Sequence, residues 1–341
     1  MTKWIKDTGP ESDIVVSSRI RIARNIKGIP FPHRLSEDGA DSVNQQVYKA
    51  LMEGDHTLKN QLMLLKMNDM DQVERLNYVE KHLISPHLAR SFQGGSVFIN
   101  QEETISIMMN EEDHIRIQCL LPGLQLETLW ELGDEIDNLL EEKIEFAFNE
   151  DLGYLTSCPT NLGTGIRASV MMHLPALTLS RSIQRVLQAA SQIGLAIRGI
   201  YGEGSEFAGN LYQISNQVTL GRTEEEIVQH LKDVVMQIIH KERMTRENLL
   251  SGNKVAVEDR VFRSLGIMKN ARILSSSEAM QLISDVKLGI NLKLVEDIKL
   301  EQLNQLMMMI QPGYLQKHFQ ESLTEEARDI KRAQITRESL A

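Results

Sequence analysis

The sequence predicts an α+β protein in which an antiparallel sheet flanked by helices is followed by a smaller all-α domain. Residues 104–109 and 115–119 show partial alternation of apolar and polar side chains on either side of a short acidic turn, which predicts a β-hairpin. Further along the chain, strand-like and glycine-rich sequence gives way to helical periodicity. We therefore expect a first domain over residues 1–250 and a helical domain over residues 251–341.

The first predicted strand, at 17–24, carries arginines on one face. Side chains alternate along a strand, so Arg19 and Arg21 share one face while Ile20 and Ile22 occupy the other. Two guanidinium groups on one face repel each other unless an anion lies between them. The pattern indicates a phosphate clamp, because guanidinium groups suit bidentate contact with phosphate oxygens. An exposed basic edge strand is the alternative.

The acidic turn of the hairpin has the sequence N-E-E-D-H-I-R at 110–116. Alternation places Arg116 on the face opposite Ile115 and Ile117, with the acids at the open end of the strand. This arrangement indicates an active-site corner. A solvated hairpin tip is the alternative.

Two glycine-rich segments add polar groups. The first, at 158–165, leads to Arg167 and is suited to bring backbone N–H groups close to a ligand. It contains neither a Walker A nor a Rossmann motif. The second, at 198–206, combines Arg198 with three glycines and two acids. It is typical of a mobile loop that closes over a substrate, although a connecting loop and a flexible turn remain the alternatives.

The later part of the chain carries helix signals. Thr223 and Glu226 form a capping box before a long apolar stripe. Ser277 is expected to cap a further helix, and residues 303–310 mark another that ends before Pro312. The methionine run within this last helix predicts packing in a core or a subunit interface.

Bulk properties exclude several classes of function. A length of 341 residues suggests two domains, and a net charge of −10 argues against general nucleic-acid binding. The two cysteines, Cys119 and Cys158, predict no disulfide framework and suit a reducing compartment. No apolar signal segment or bilayer-spanning run occurs. We expect a cytoplasmic protein that binds neither nucleic acid nor membrane.

Four motifs together resemble the catalytic domain of the ATP:guanidino phosphotransferases, the phosphagen kinase family. They are S-S-R-I-R, N-E-E-D-H-I-R, C-P-T-N-L-G-T-G-I-R-A-S-V and R-G-I-Y-G-E, in the order in which the family has them. They span residues 12–222, about two-thirds of the chain. The resemblance implies the antiparallel sheet of that family, with ATP and Mg²⁺ as cofactors.

The resemblance also implies catalytic roles. A guanidinium with a pKa of about 12.5 has no free lone pair for attack, so its phosphorylation needs carboxylates that position it and accept its proton. Glu112 matches the main catalytic carboxylate, and Glu203 matches a second acid on the mobile loop. Cys158 matches a cysteine beside the guanidino group, where we assign it a tuning role and not that of a nucleophile. A buried inert cysteine is the alternative.

Nucleotide contacts are implied at the matching motif positions. Arginines of the family neutralise the triphosphate and stabilise the phosphoryl group in transfer. The arginines that match are Arg19, Arg21, Arg116, Arg167 and Arg198, and the other implied contacts are Ser17, Ser18, Ile20, His82, Ala168, Ser169, Val170, Met171, Gly199, Ile200, Tyr201 and Gly202. Met171 and Met172 stand where small-molecule kinases usually have a histidine, which leaves the adenine and ribose contacts open.

Two features resemble the bacterial protein arginine kinases within the family. The arginine pair at 19 and 21 leaves no room for the N-terminal helical domain of the small-molecule kinases, and the chain continues for more than a hundred residues past 217. The extension contains Arg328, Asp329, Arg332 and Ala333, which match an R-D-x-x-R-A motif for allosteric phosphoarginine binding. The two arginines share a helix face. A solvated helix with a salt bridge is the alternative.

The resemblance therefore implies a protein arginine kinase that transfers the γ-phosphoryl group of ATP to arginine side chains exposed on proteins. It further implies that these proteins are marked for a Clp-type ATP-dependent protease, that a heat-shock transcriptional repressor is a substrate, and that a small zinc-binding protein is an activator. A homodimer through the helical domain is also implied. The alternatives are a kinase of a small free guanidino compound and a phosphoarginine-reading adaptor.

Overall fold

The computed structural model describes residues 2–54, 56–90, 94–199 and 208–341. Within these residues, the strands are β1 (Val15–Arg24), β2 (Leu62–Lys66), β3 (Ser96–Asn100), β4 (Ile105–Met109), β5 (Ile115–Pro122), β6 (Phe148–Asn149), β7 (Gly153–Tyr154), β8 (Ile166–His173), β9 (Leu195–Arg198) and β10 (Leu211–Asn216). Eight of them form one antiparallel sheet in the order β2-β3-β4-β5-β1-β8-β10-β9, and β6 pairs with β7 in a separate hairpin.

Helices flank the sheet and make up the last third of the chain. In the described residues they are α1 (Lys3–Lys6), α2 (Glu37–Met52), α3 (Gln72–Glu80), α4 (Pro86–Arg90), α5 (Leu126–Glu141), α6 (Pro175–Leu179), α7 (Ile183–Gln192), α8 (Glu224–Gly252), α9 (Lys254–Asn270), α10 (Ser276–Asn291), α11 (Leu300–Met309), α12 (Pro312–Phe319) and α13 (Glu325–Ser339). The expected division at 250/251 falls in the last turn of α8. Within the described ranges, none of these helices is long and apolar enough to cross a membrane.

Strand β1 lies at the centre of the sheet. It pairs with β5 on one side and β8 on the other, so that Arg21 lies opposite both Gln118 and Arg167. The alternative of an exposed basic edge strand is therefore wrong, because β1 has a partner along both edges.

The predicted hairpin is present as β4 and β5, which pair in register from Met109 with Ile115 to Ile105 with Cys119. Strand β5 continues to Pro122, beyond the predicted end at Cys119, because β1 pairs with it along its whole length.

The main core lies between one face of the sheet and helices α2, α5 and α8. A Cβ atom on Gly133 of α5 would lie 3.1 Å from Cδ1 of Ile22, so the absence of a side chain lets α5 approach β1 closely. The capping box of α8 is confirmed: Thr223 Oγ1 accepts from the Glu226 N–H at 3.2 Å, and the Glu226 carboxylate accepts from the Thr223 N–H at 3.1 Å.

A second core joins the helical region to the other face of the sheet. Its helices are α1 and α9 to α13, and it includes Val16, Leu120, Met171 and Leu211 from the strands. Met307 and Met308 are buried in it, as predicted for the methionine run.

Two predicted helix ends differ in detail. Ser275, not Ser277, caps α10, because Ser275 has extended backbone angles and its hydroxyl accepts from the Glu278 N–H at 3.2 Å. The helix at 303–310 does end before Pro312, but Pro312 at once begins α12, since its fixed φ and missing N–H suit a first helical position.

One buried carboxylate ties the first domain to the helical region. Glu80, at the end of α3, accepts hydrogen bonds from the backbone N–H groups of Gly313 at 2.6 Å and Tyr314 at 2.9 Å. These are free N–H groups in the first turn of α12, which a carboxylate satisfies favourably.

Candidate active site

Five arginines lie on one face of the sheet. The register places Arg21 and Arg167 directly opposite each other, and Arg19, two residues along β1, shares their face. Arg116 on β5 and Arg198 on β9 join this face through the alternation of their own strands. The apolar residues between them point into the main core on the other side. Strand topology alone thus assembles the arginine face, which we define as Arg19, Arg21, Arg116, Arg167 and Arg198.

Four arginines of this face line a small polar cavity of about 90 Å³ that also includes Gln118 and Gln213; they are Arg19, Arg21, Arg116 and Arg198. Burial first, and then repulsion from Arg116 and Arg167, lowers the pKa of Arg19 to about 10. Burial and the same kind of repulsion lower the pKa of Arg21 well below its usual range. Among the described residues, the buried Arg21 Nε has no hydrogen-bond partner. A concentrated positive charge with an unused donor is suited to bind a polyanion such as a triphosphate.

His82 stands at the wall of this cavity. Its backbone is left-handed, with φ +59°, and its carbonyl accepts from Gln118 Nε2 at 2.7 Å. Burial and the neighbouring charges of Arg19 and Arg21 lower the pKa of His82 to about 3. The ring is therefore neutral at physiological pH and adds no further positive charge to the arginine face.

We call the acidic turn between β4 and β5 the acidic corner. It begins at Asn110, whose φ of +57° reverses the chain. Glu112 Oε2 accepts from Arg116 Nη2 at 2.9 Å, and Glu111 Oε2 lies 2.7 Å from Arg116 Nη1. One guanidinium thus holds both carboxylates against the edge of the arginine face. The Glu112 side chain is 42% exposed, whereas that of Glu111 is 2% exposed. Glu112 is therefore the carboxylate that an incoming group can reach.

Glu111 is the residue that sequence analysis missed. Burial alone raises its pKa, but Arg116, the Ser85 hydroxyl and the Glu112 N–H together hold the pKa of Glu111 below its ordinary value. Ser85 Oγ donates to Glu111 Oε1 at 2.6 Å. Glu111 is thus a fixed counter-charge for Arg116. Its place beside Arg116 follows from the hairpin, but no local signal marks Ser85 as its partner.

Asp113 and His114 support the corner from inside. Asp113 Oδ1 accepts from Asn25 Nδ2 and from the Ser157 N–H, each at 2.7 Å. His114 Nδ1 accepts from the Ile26 N–H at 3.0 Å, so its Nε2 carries the proton and donates to the Pro30 carbonyl at 2.8 Å. Burial raises the pKa of Asp113 and lowers that of His114. These contacts tie the corner to β1 and to the loop that carries Cys158.

Cys158 begins the glycine-rich loop and is half-buried, with Sγ 3.0 Å from Thr160 Oγ1. Thr219 anchors the loop by donating to the carbonyls of Thr160 at 3.1 Å and Leu162 at 2.7 Å. A Cβ atom on Gly163, where φ is +109°, would lie 2.5 Å from the Thr219 carbonyl oxygen, so this position requires glycine. Ser157, one residue before Cys158, lines the same cleft as Glu112.

Strand alternation places the other predicted nucleotide-contacting residues on two opposite faces of the sheet. Ser17, Ser169 and Met171 lie on the arginine face, where a small cavity adjoins Arg19 and His82. Four side chains point the other way, into the main core or towards the backbone behind the sheet: Ser18, Ile20, Ala168 and Val170. Gly199 is buried beside Arg198. The remaining predicted residues, Ile200, Tyr201, Gly202 and Glu203, lie outside the described residues.

The R-D-x-x-R-A motif lies on α13, as predicted. Arg332 is 2% exposed and donates to the carbonyls of Ile310 and Leu274, each at 2.9 Å, and to Asp329. Arg328 is half-buried and donates to the Leu323 carbonyl at 3.0 Å. Ala333 is fully buried in the second core. Arg332 therefore holds the helical region together, and Arg328 is the more accessible of the two guanidinium groups.

Solved structures with this fold define the class of protein. The chain resembles lombricine kinase with a TM-score of 0.61 and 28% identity, over 70% of this chain and 68% of that one. It also resembles the duplicated taurocyamine kinase from Schistosoma mansoni with a TM-score of 0.62 and 23% identity, over 80% of this chain and 40% of that one; at this identity the likeness concerns the fold alone. An arginine face beside an acidic corner, on this fold, is that of a guanidino kinase.

Sequence comparison gives the family. Residues 42–245 match the ATP:guanido phosphotransferase C-terminal catalytic domain, and residues 254–341 match the protein-arginine kinase McsB C-terminal domain. The protein-arginine kinase of Halothermothrix orenii is 52% identical over 100% of this chain and 97% of its own length, and that of Bacillus subtilis is 49% identical over 100% and 93%. The chain belongs to the ATP:guanido phosphotransferase family and is a kinase whose phosphoryl donor is ATP.

Proposed function

We propose that this enzyme is a protein arginine kinase, which transfers the γ-phosphoryl group of Mg²⁺-ATP to arginine side chains of proteins. Relatives that carry this name are about half identical to the chain over nearly their whole length. The geometric observation that carries the proposal is Arg116, which belongs to the arginine face and also holds Glu111 and Glu112. Phosphate-binding and guanidinium-binding groups therefore meet at one point.

The arginine face has the task of binding the triphosphate. Its guanidinium groups neutralise the phosphate oxygens and stabilise the charge of the phosphoryl group during transfer. Mg²⁺ bound to the nucleotide would supply further neutralisation of the phosphate charge. Because the five arginines stand on paired strands, they are positioned before the nucleotide arrives.

Glu112 has the task of binding the acceptor. Its exposed carboxylate, oriented by Arg116, accepts hydrogen bonds from the target guanidinium and takes its proton as the P–N bond forms. Glu111 keeps Arg116 in place and stays ionised. Glu203 and Cys158 are proposed as the second carboxylate and a tuning thiol at the same guanidinium, on the strength of the family motifs.

A Glu112→Gln variant tests the assignment. Removing the base is expected to lower phosphoarginine formation by about 100-fold or more, the usual contribution of general-base catalysis, with ATP binding retained. The measurement is mass spectrometry under neutral conditions, after incubation with Mg²⁺-ATP and an arginine-rich unfolded protein or free arginine. Glu102→Gln, an exposed glutamate paired with Lys3, is the matched control. Phosphorylation of free arginine but not of protein would favour the small-guanidino kinase instead.

The wider roles are also proposals. The R-D-x-x-R-A motif supports phosphoarginine binding near Arg328, and the family resemblance supports formation of a homodimer. The family resemblance supports a cytoplasmic enzyme that marks proteins for a Clp-type protease, acts on a heat-shock repressor and responds to a small zinc-binding activator. Pull-down with the immobilised enzyme, with and without a phosphoarginine competitor, tests the partners.

A further inference from the structure

Two adjoining cavities extend from the acidic corner. The first, which we call the acceptor cleft, has a volume of about 1030 Å³, and its walls include Glu111, Glu112 and Ser157. The second, which we call the α2 groove, has a volume of about 610 Å³ and lies between α2 and strands β2 to β4. Asp41, Asn68 and Gly94 line both of them. The active site therefore opens into a second cavity.

One face of helix α2 lines both cavities. Glu37 and Asp41 line the acceptor cleft, and Asp41, Asn44 and Tyr48 line the α2 groove. Their spacing of four, three and four residues puts them on one side of the helix. At 1.5 Å per residue, the distance from Glu37 to Tyr48 is about 16 Å, which an extended chain covers with about five residues.

Hydrogen bonds make the floor between the two cavities rigid. Asn110 Nδ2 donates to the carbonyls of Ala40 at 3.0 Å and Gly94 at 2.9 Å. Asn44 Nδ2 also donates to the Gly94 carbonyl at 3.0 Å, and Asn44 Oδ1 accepts from Ser96 Oγ at 2.7 Å. The first residue of the catalytic turn is thus tied to the middle of α2.

Asn110 also carries an unused acceptor. It lines the acceptor cleft and is 8% exposed, and its Oδ1 atom accepts no hydrogen bond from any of the described residues. Because this oxygen is itself closed off from solvent, it belongs to the rigid floor and not to the surface that a bound chain contacts.

We infer that the acceptor cleft and the α2 groove form one trough for an extended segment of the protein substrate. The target arginine occupies the acceptor cleft, and the flanking residues run along α2 to Tyr48. This inference rests on the proposed protein kinase function. The combined volume exceeds the 300–1,000 Å³, roughly, of pockets for small ligands, which favours a polypeptide as occupant.

The side chains of the trough fit this occupant. Glu37 and Asp41, next to the catalytic carboxylates, attract the positive charge of an arginine-rich segment. Tyr48 is 44% exposed, and its ring lies 6.2 Å from that of Phe98, so the ring is held in place yet open to an apolar side chain. The trough thus predicts a preference for an apolar residue about five positions from the target arginine.

Peptides of different length test the trough. Each contains one arginine; the short peptide has two flanking residues on each side, and two longer ones extend either the N-terminal or the C-terminal flank with a leucine at the fifth position. We expect one long peptide to have a higher kcat/KM than the short one. In Tyr48→Ser this gain is expected to fall by about fivefold, equivalent to about 1 kcal/mol, with kcat and the KM for ATP unchanged.

Phe148→Ser is the matched control, because Phe148 is a half-exposed ring that also contacts one aromatic neighbour but lies outside the trough. The control is expected to keep the full gain from the longer flank. Equal efficiency on all peptides, or a gain that persists in Tyr48→Ser, would overturn the trough and leave the kinase proposal standing. Absence of phosphoarginine on every peptide would overturn both.

Discussion

At the scale of single residues, the arginine face is a concentration of like charge that the fold holds in place. Arg19 and Arg21 are half-buried on the central strand, and burial with mutual repulsion lowers the pKa of each. Strand pairing on both sides of β1 prevents these side chains from separating. The folded protein thus tolerates an unfavourable arrangement that a bound triphosphate relieves.

Arg21→Lys tests this interpretation. A lysine keeps the charge but cannot form the bidentate contact of a guanidinium, so kcat/KM for ATP is expected to fall by about 100-fold or more. Steady-state kinetics at saturating protein substrate provide the measurement. Arg222→Lys, at an exposed position before α8, is the control. Equal kinetics in the two variants would contradict a phosphate-binding role for Arg21.

At the scale of elements, local sequence signals decide where several helices begin. Helix α8 starts at a complete capping box and carries three acids in its first turn, which suit the positive end of the helix dipole. Its buried residues, from Ile227 to Ile239, cover the main core. The same element therefore has a local start signal and a tertiary role.

Thr223→Ala removes one half of the capping box. The loss is expected to cost about 1 kcal/mol, which for a chain of this length lowers the melting temperature by about 1.5 °C, while kinase activity is unchanged. Thermal unfolding followed by circular dichroism is the measurement. Thr223→Ser keeps the hydroxyl and should restore the wild-type value. An unshifted Ala variant would show that the cap does not contribute.

At the scale of the whole molecule, the helical region and the sheet share the second core. Two charged residues, Glu80 and Arg332, hold the elements around this core in place, and we call their contacts the join. Glu80 caps α12 from the first domain, and Arg332 bonds the carbonyls that precede α10 and α12. A change in the helical region can therefore reach α3, which ends two residues before His82 of the nucleotide cavity.

Substitution of the two arginines of the R-D-x-x-R-A motif is expected to have different effects on stability and on phosphoarginine binding. Arg332→Ala leaves Asp329 and two buried carbonyls without a donor and should destabilise the protein by about 3 kcal/mol. Arg328→Ala should leave thermal stability within about 0.5 kcal/mol and lose phosphoarginine binding. Thermal unfolding and calorimetric titration with phosphoarginine separate the effects. Equal destabilisation by both variants would contradict the structural assignment of Arg332.

Glu80 gives the join a pH dependence. Burial raises the pKa of Glu80 to about 7 despite the Gly313 and Tyr314 N–H groups. Between its ordinary value, near 4.5, and 7, the folded state binds more protons than the unfolded state, so the Glu80 contribution falls as pH rises. The melting temperature of wild type minus that of Glu80→Gln should therefore decrease from pH 5 to pH 7.5. Parallel pH profiles for the two proteins would falsify the assignment.

Much of the architecture was determined by sequence alone. The hairpin around the acidic turn, the arginine alternation on β1 and the capping box of α8 are local patterns with periods of two or 3.6 residues. The family resemblance then supplied the fold and the kinase class, both of which the comparisons confirm. The misplaced cap at Ser277 shows the limit of local signals, since two serines two residues apart differ only in backbone angles.

Only the tertiary structure decided which of these residues meet. The arginine face depends on the register of five strands, the four that carry arginines and β10 between β8 and β9. The role of Glu111 depends on Ser85 from another loop. The shared second core, the Glu80 join and the burial of Arg332 depend likewise on contacts between distant segments. Sequence alone determines the periodicity of a segment, because periodicity depends only on residues that are close together in the chain. Strand register and side-chain burial depend on how all the segments pack together.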